Sequence, residues 1–136
     1  MRKASKRSLL SLSLRIYLDE GHIGHGKIEL LENIRSCGSI SAAGRAMNMS
    51  YKRAWDLVDE INRIFRREAV ERQAGGRKGG GATLTPFGLS LVARYRKIER
   101  SAEVAARQEL RALRADTVAR RKPQAALGNR RSRGRA

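Results

Sequence analysis

Ser50, Tyr51, Lys52 and Arg53 follow one another directly, two hydroxyls beside two cations. At the start of a helix, backbone N–H groups lack partners and the helix dipole is positive. Such a set therefore offers donors to phosphate oxygens and base edges. The planar fork of Arg53 suits guanine, and Lys52 suits a phosphate as a point charge. Upstream, Ser39, Ser41 and Arg45 fall where a bracing helix would approach a phosphate backbone; downstream, Arg77 and Lys78 stand at the tip of a glycine-rich loop. Together they form a polyanion-binding constellation rather than a catalytic one.

Other chemistry is thinly represented. His22 and His25 lie near Asp19 and Glu20, but the chain has only these two histidines and one cysteine, so incidental loop histidines are expected rather than a metal. Gly24-His25-Gly26-Lys27 lacks both the leading glycine and the following Ser or Thr of a phosphate loop, as does Gly75-Gly76-Arg77-Lys78. The carboxylates are interleaved with bases on helices, a pattern of surface ion pairs rather than of an acid/base couple. Cys37, at a helix end, is expected to be buried or chemically bland. Trp55 reads as an aromatic at the core or wedged behind a helix, not as a stacking platform. No catalytic residue and no cofactor is expected.

Positioning the polar set requires particular elements. Leu10, Leu12, Leu14, Ile16 and Leu18 alternate with polar residues, the period of a half-buried strand. Gly21-His22-Ile23-Gly24-His25-Gly26 reads as a turn, after which Ile28, Leu31 and Ile34 predict a helix ending at Cys37-Gly38. Ser39 or Ser41 then caps a short Ala-rich helix to about Met47, and Ser50 caps a longer one. In the latter Ala54, Leu57, Val58, Ile61, Ile64 and Phe65 share one side, opposite Lys52, Arg53, Asp56, Asp59, Glu60 and Arg63. Residues 69–73 and 82–84 are short strands flanking a long tip. Thr85-Pro86 opens a helix reaching about Asp116. Its seam of Leu91, Tyr95, Ile98, Ala102 and Ala105 steps by four and three residues, as a dimer contact would; packing on the chain's own core is the competing reading for its first half.

The expected architecture is mainly α. It is a winged helix-turn-helix with an N-terminal strand, a two-strand wing and a long C-terminal dimerisation helix. A chain of 136 residues holds one domain, and 40% apolar with only 4% aromatic residues suits a small aliphatic core. No stretch is long and apolar enough for a membrane helix, and serines and early charges interrupt any signal-peptide pattern. The net charge of +17 is unevenly placed: residues 1–18 hold +5, residues 19–116 hold +5 and residues 117–136 hold +7. The expected organisation is a basic arm over 1–8, the DNA-binding domain over 9–116 and a disordered Arg-rich tail over 117–136. Basic arms without apolar periodicity suit a polyanion, because each neutralised phosphate releases a counterion.

The run Ser39-Ile40-Ser41-Ala42-Ala43-Gly44-Arg45-Ala46-Met47-Asn48-Met49-Ser50-Tyr51-Lys52-Arg53-Ala54-Trp55 carries a resemblance further. With Val70-Glu71-Arg72-Gln73, the glycine-rich loop and Leu84-Thr85-Pro86-Phe87-Gly88, it resembles the DNA-binding half of the ModE family of molybdate-responsive transcription regulators, from about Leu14 to Glu99. The S-Y-K-R-A-W segment and the G-G-R-x-G-G-G wing are specific to that resemblance, whereas G-S-I-S-A-A and L-T-P-x-G are shared with LysR-type regulators. The resemblance implies a dimeric winged-helix transcription factor acting on double-stranded DNA; the single cysteine and the lack of a membrane stretch lead to the expectation of a cytoplasmic protein, nucleoid-associated through its DNA. Full-length members carry a molybdate-binding domain after the long helix, where this sequence has its Arg-rich tail, so direct molybdate sensing is not expected. Two further readings are a sequence-tolerant architectural DNA-binding protein and a subunit forming heterodimers with a full-length ModE-like partner.

Overall fold

A computed structural model describes residues 11–73 and 80–118. The chain runs through β1 (Arg15–Leu18), β2 (Gly21–Gly24), α1 (His25–Cys37), α2 (Ile40–Ala46), α3 (Tyr51–Phe65), β3 (Val70–Gln73), β4 (Gly81–Leu84) and α4 (Pro86–Ala105). Strands β1 and β2 pair antiparallel, as do β3 and β4. This is a winged helix-turn-helix, with β3 and β4 as the wing. Residues Ser13–Glu99 form one compact unit; the rest of α4 and the helical residues 107–118 belong to a second.

The N-terminal region departs from the expected single strand and turn. Among the described residues pairing begins at Arg15, and Gly21–Gly24, read as a turn, is a strand that aligns Ile16 with Ile23. Ile23 is buried, so this glycine-flanked segment is held by a long-range hydrophobic contact that local composition does not reveal. The alternation persists in burial as far as Tyr17, with Leu14 and Ile16 half-buried and Ser13, Arg15 and Tyr17 exposed, but Leu18, expected on the buried face, is exposed.

Capping defines the helices. α1 ends where Gly38 turns left-handed, at φ 80°, and returns its N–H to the Ile34 carbonyl. Of the two candidate caps for α2, Ser39 is the one used: its Oγ accepts from the Ala42 N–H at 3.0 Å. Ser50 caps α3 in the same way, accepting from the Arg53 N–H at 3.0 Å. Thr85 Oγ1 accepts from the Gly88 N–H and donates to the Glu68 carbonyl, so it caps α4 and fastens that helix to the entrance of the wing.

The core lies between α1, α3 and the start of α4. Ile28, Leu31, Ile34, Ile61 and Tyr95 are essentially inaccessible. Gly44 of α2 meets Ala54 of α3 so closely that a Cβ on Gly44 would lie 3.1 Å from the Ala54 methyl. Small residues thus set the separation of the two helices of the turn motif. Leu91 and Tyr95, expected to begin a dimer seam, sit in this core; Tyr95 donates its hydroxyl to the Leu14 carbonyl at 2.7 Å, and burial raises the phenol's pKa. A further tie holds α4 to α1. Arg96 donates two hydrogen bonds to the Glu32 carboxylate, at 2.8 and 3.0 Å, and one to Glu99, contacts that raise its pKa.

Candidate nucleic-acid interface

Ser50, Tyr51, Lys52 and Arg53 open α3, and Ser39, Ser41 and Arg45 cap or lie on the preceding α2. α2 crosses before α3, and the turn between them passes through Asn48 at φ 57°. α3 then starts at an exposed N-terminus whose first turn contains no acid but carries Lys52 and Arg53. Cations there oppose the helix dipole and cost roughly 0.3–1 kcal/mol each at low salt. An anion arriving from outside reverses that cost.

Around the helix axis, at about 100° per residue, Ile61 marks the middle of the buried side of α3, and Lys52, Asp56, Asp59 and Arg63 lie opposite. Tyr51 and Trp55 flank that exposed sector on one side. Arg53 and Glu60 flank it on the other. Lys52 Nζ pairs with Asp56 at 3.1 Å, both side chains largely exposed, so the pair opens at little cost. Arg53 is exposed, and its side chain has no partner among the described residues.

The remaining expected contacts are differently placed. Ser39 Oγ is committed to its cap, which leaves it a structural more than a recognition role. Ser41 accepts from Arg45 Nη1 at 3.0 Å, so that arginine is held along α2 with its other donors facing solvent. Ser50 is likewise a cap, and Tyr51 is 58% exposed. Arg77 and Lys78, with the wing tip, lie outside the described residues, as do residues 1–8 of the N-terminal arm and residues 119–136 of the tail. Residues 117 and 118, assigned to the tail by composition, are helical.

Three features of this face escape a reading of the sequence alone. Arg72 of β3 places its guanidinium over the Trp55 ring, 4.4 Å from the centroid, while Tyr51 meets the same ring edge-on at 6.3 Å. Lys27, 8% exposed, donates to the His22 carbonyl and pairs with Glu60 at 3.3 Å, anchoring the flank beside Arg53; the same lysine lowers the His22 pKa. The wing is tied to the helix-turn-helix through its backbone, Ala82 N–H donating to the Gly38 carbonyl at 2.8 Å. Strand pairing and packing create all three, and none has a local signature.

His25 pairs with Glu29 at 3.1 Å. Among the described residues no group of three or more His, Cys, Asp or Glu side chains is placed to hold a metal ion. Cys37, expected to be buried or chemically bland, is exposed at the last position of α1, where the helix ends at Gly38.

Comparison with known proteins agrees with this geometry. No family model matches the chain. It is 47% identical over 73 residues to the molybdenum transport protein ModE of Azotobacter vinelandii, which covers 54% of this chain and 27% of that protein. It is 44% identical over 69 residues to the DNA-binding transcriptional dual regulator ModE of Escherichia coli K12, covering 51% of this chain and 26% of the relative. Over about half of its length the chain is thus similar in sequence to ModE proteins. The similarity to ModE lies in the N-terminal part of those relatives, and the chain spans less than a third of their length. The molybdenum-pterin-binding protein MopB of Rhodobacter capsulatus matches the chain in the same way, 46% identical over 77 residues, covering 57% of this chain and 28% of that protein. Among solved structures, a CbnR DNA-binding domain in complex with DNA superimposes with a TM-score of 0.50 over 67% of this chain and 95% of that one, at 19% identity, a likeness of fold.

Proposed function

We propose that this chain is a sequence-specific, non-enzymatic DNA-binding transcription regulator of ModE type, in which α3 enters the major groove and α2 braces it against the phosphate backbone. The observation that carries this reading is the N-terminus of α3: Ser50-capped, free of acids, cationic and exposed, on a helix whose other face is buried. An α-helix fits the major groove, and the N-terminal residues of a recognition helix are those that meet base edges. Arg53 is the guanine reader; Lys52, released from Asp56, and Arg45 are backbone contacts, as are Arg77 and Lys78 of the wing.

The regulator acts as a homodimer on a two-fold site. Ile98 and Ala102 of α4, and Ala105 at its end, continue the helix face that begins with Leu91 and Tyr95 in the core, and Ile98 is 41% exposed. An apolar stripe continuing from a core residue onto an exposed surface fits self-association, and pairing multiplies the affinity of a module that reads few base pairs. A full-length ModE-like chain is a second candidate for the same helix. No described helix is long and apolar enough to cross a membrane, in keeping with a DNA-bound role.

Fluorescence anisotropy on a duplex from the protein's own promoter region and on a scrambled duplex tests the reading, across several salt concentrations and with and without molybdate. The expected result is a preference for the native duplex that survives rising salt, unchanged by molybdate. Equal binding of all duplexes that collapses with salt would overturn sequence-specific regulation in favour of an architectural role driven by the basic arms.

A further inference from the structure

Arg72 stands in β3 opposite Ala82, on the strand face that also carries the buried Val70. Along a strand, alternate residues share a face, so Arg72 points inward toward α3 while Glu71 and Gln73 point away. Ala82 opposite it is still buried, but Arg72 itself is exposed. The guanidinium therefore comes to rest on the Trp55 ring, exposed to solvent.

A guanidinium stacked on an aromatic face has its plane covered and its N–H groups directed outward around the rim. No carboxylate or other acceptor among the described residues takes any of those donors. Its cross-strand neighbour, an alanine, supplies none. The charge is thus unpaired, but the stack and the strand hold its orientation, so little conformational freedom remains to be lost on binding. Its place matters as much as its chemistry. Trp55 lies on the second turn of α3, roughly 6 Å along the axis from Tyr51, so Arg72 projects from the wing beside the cationic start of the helix.

We propose that Arg72 is a DNA phosphate contact, oriented by Trp55, that grips the strand flanking the groove entered by α3. The inference rests on the DNA-binding reading above and deepens it. Arg72 supplies affinity without sequence information, and Trp55 acts as its positioning residue.

The test compares the wild-type chain with Arg72→Ala, Arg72→Gln and Trp55→Phe, measuring duplex affinity against salt by anisotropy and folding by circular dichroism. Arg72→Gln keeps the stem that covers the ring, so it remains informative where the alanine variant folds poorly. Removal of the charge is expected to lower affinity about tenfold on native and scrambled duplexes alike. The slope of log K against log salt should become shallower by about 0.9, the signature of one lost phosphate contact. Trp55→Phe, which retains an aromatic face, is expected to keep the wild-type slope. A folded Arg72→Gln with an unchanged slope would overturn this inference alone, while a wild-type chain that binds no duplex would overturn it together with the proposed function.

Discussion

Arg53 and Lys52 are neighbours in the first turn of α3 and both are exposed, yet their chemistry diverges. Lys52 is already paired with Asp56, whereas the Arg53 fork has no partner among the described residues. A bidentate arginine contact to guanine is worth about 1–3 kcal/mol of discrimination, and a phosphate contact is worth the same on every sequence. Arg53→Ala is therefore expected to bring native and scrambled duplexes to within about tenfold of one another while leaving the salt slope nearly unchanged. Competition anisotropy reads this directly; parallel losses on both duplexes would assign Arg53 to the backbone instead. That these two residues stand in the first turn of a capped helix was legible from Ser50 and the apolar spacing that follows. Arg72 was not, because only the pairing of β3 with β4 determines which way its side chain faces.

Among the elements, α4 depends on a contact with no room to spare. A Cβ on Gly88 would fall on the Ala69 carbonyl oxygen, backbone that is itself held by the Asn62 side chain through the Ala69 N–H at 2.8 Å. The end of α3, the entrance of the wing and the start of α4 thus meet at one point, which Arg67 and Phe65 cover by packing on Phe87. Gly88→Ala is expected to destabilise the fold by about 3 kcal/mol, since nothing flexible is available to yield. A melting temperature equal to the wild type's would show that α4 tilts away freely. The helices and their starts were legible because Ser39, Ser50 and Thr85 cap them and apolar residues recur at helical spacing. Strand β2 was not, since its glycines resemble a turn and only Ile23, buried against the rest of the fold, keeps it extended. Periodicity also could not divide the α4 seam, because helical spacing continues unchanged from Tyr95 in the core to Ile98 outside it.

At the scale of the molecule, charge and shape are separated. α3 carries Lys52, Arg53 and Arg63 against Asp56, Asp59 and Glu60, so this helix is formally neutral in a chain of net charge +17. If α3 reads DNA as proposed above, long-range attraction to the polyanion comes from outside it, which lets affinity and specificity change independently. The proposed self-association belongs to the same scale. Ile98→Glu places a charge in the exposed stripe without touching the buried Tyr95, and sedimentation should show a monomer where the wild type shows a dimer. A dimer that survives this change would move the contact elsewhere.

Trp55 is the chain's single tryptophan, and it lies beneath Arg72 on the helix that carries Arg53. All indole emission from this protein therefore originates on the flank of α3 proposed to face DNA. Its colour and intensity report the state of that face with no dye attached, whichever other parts of the chain move.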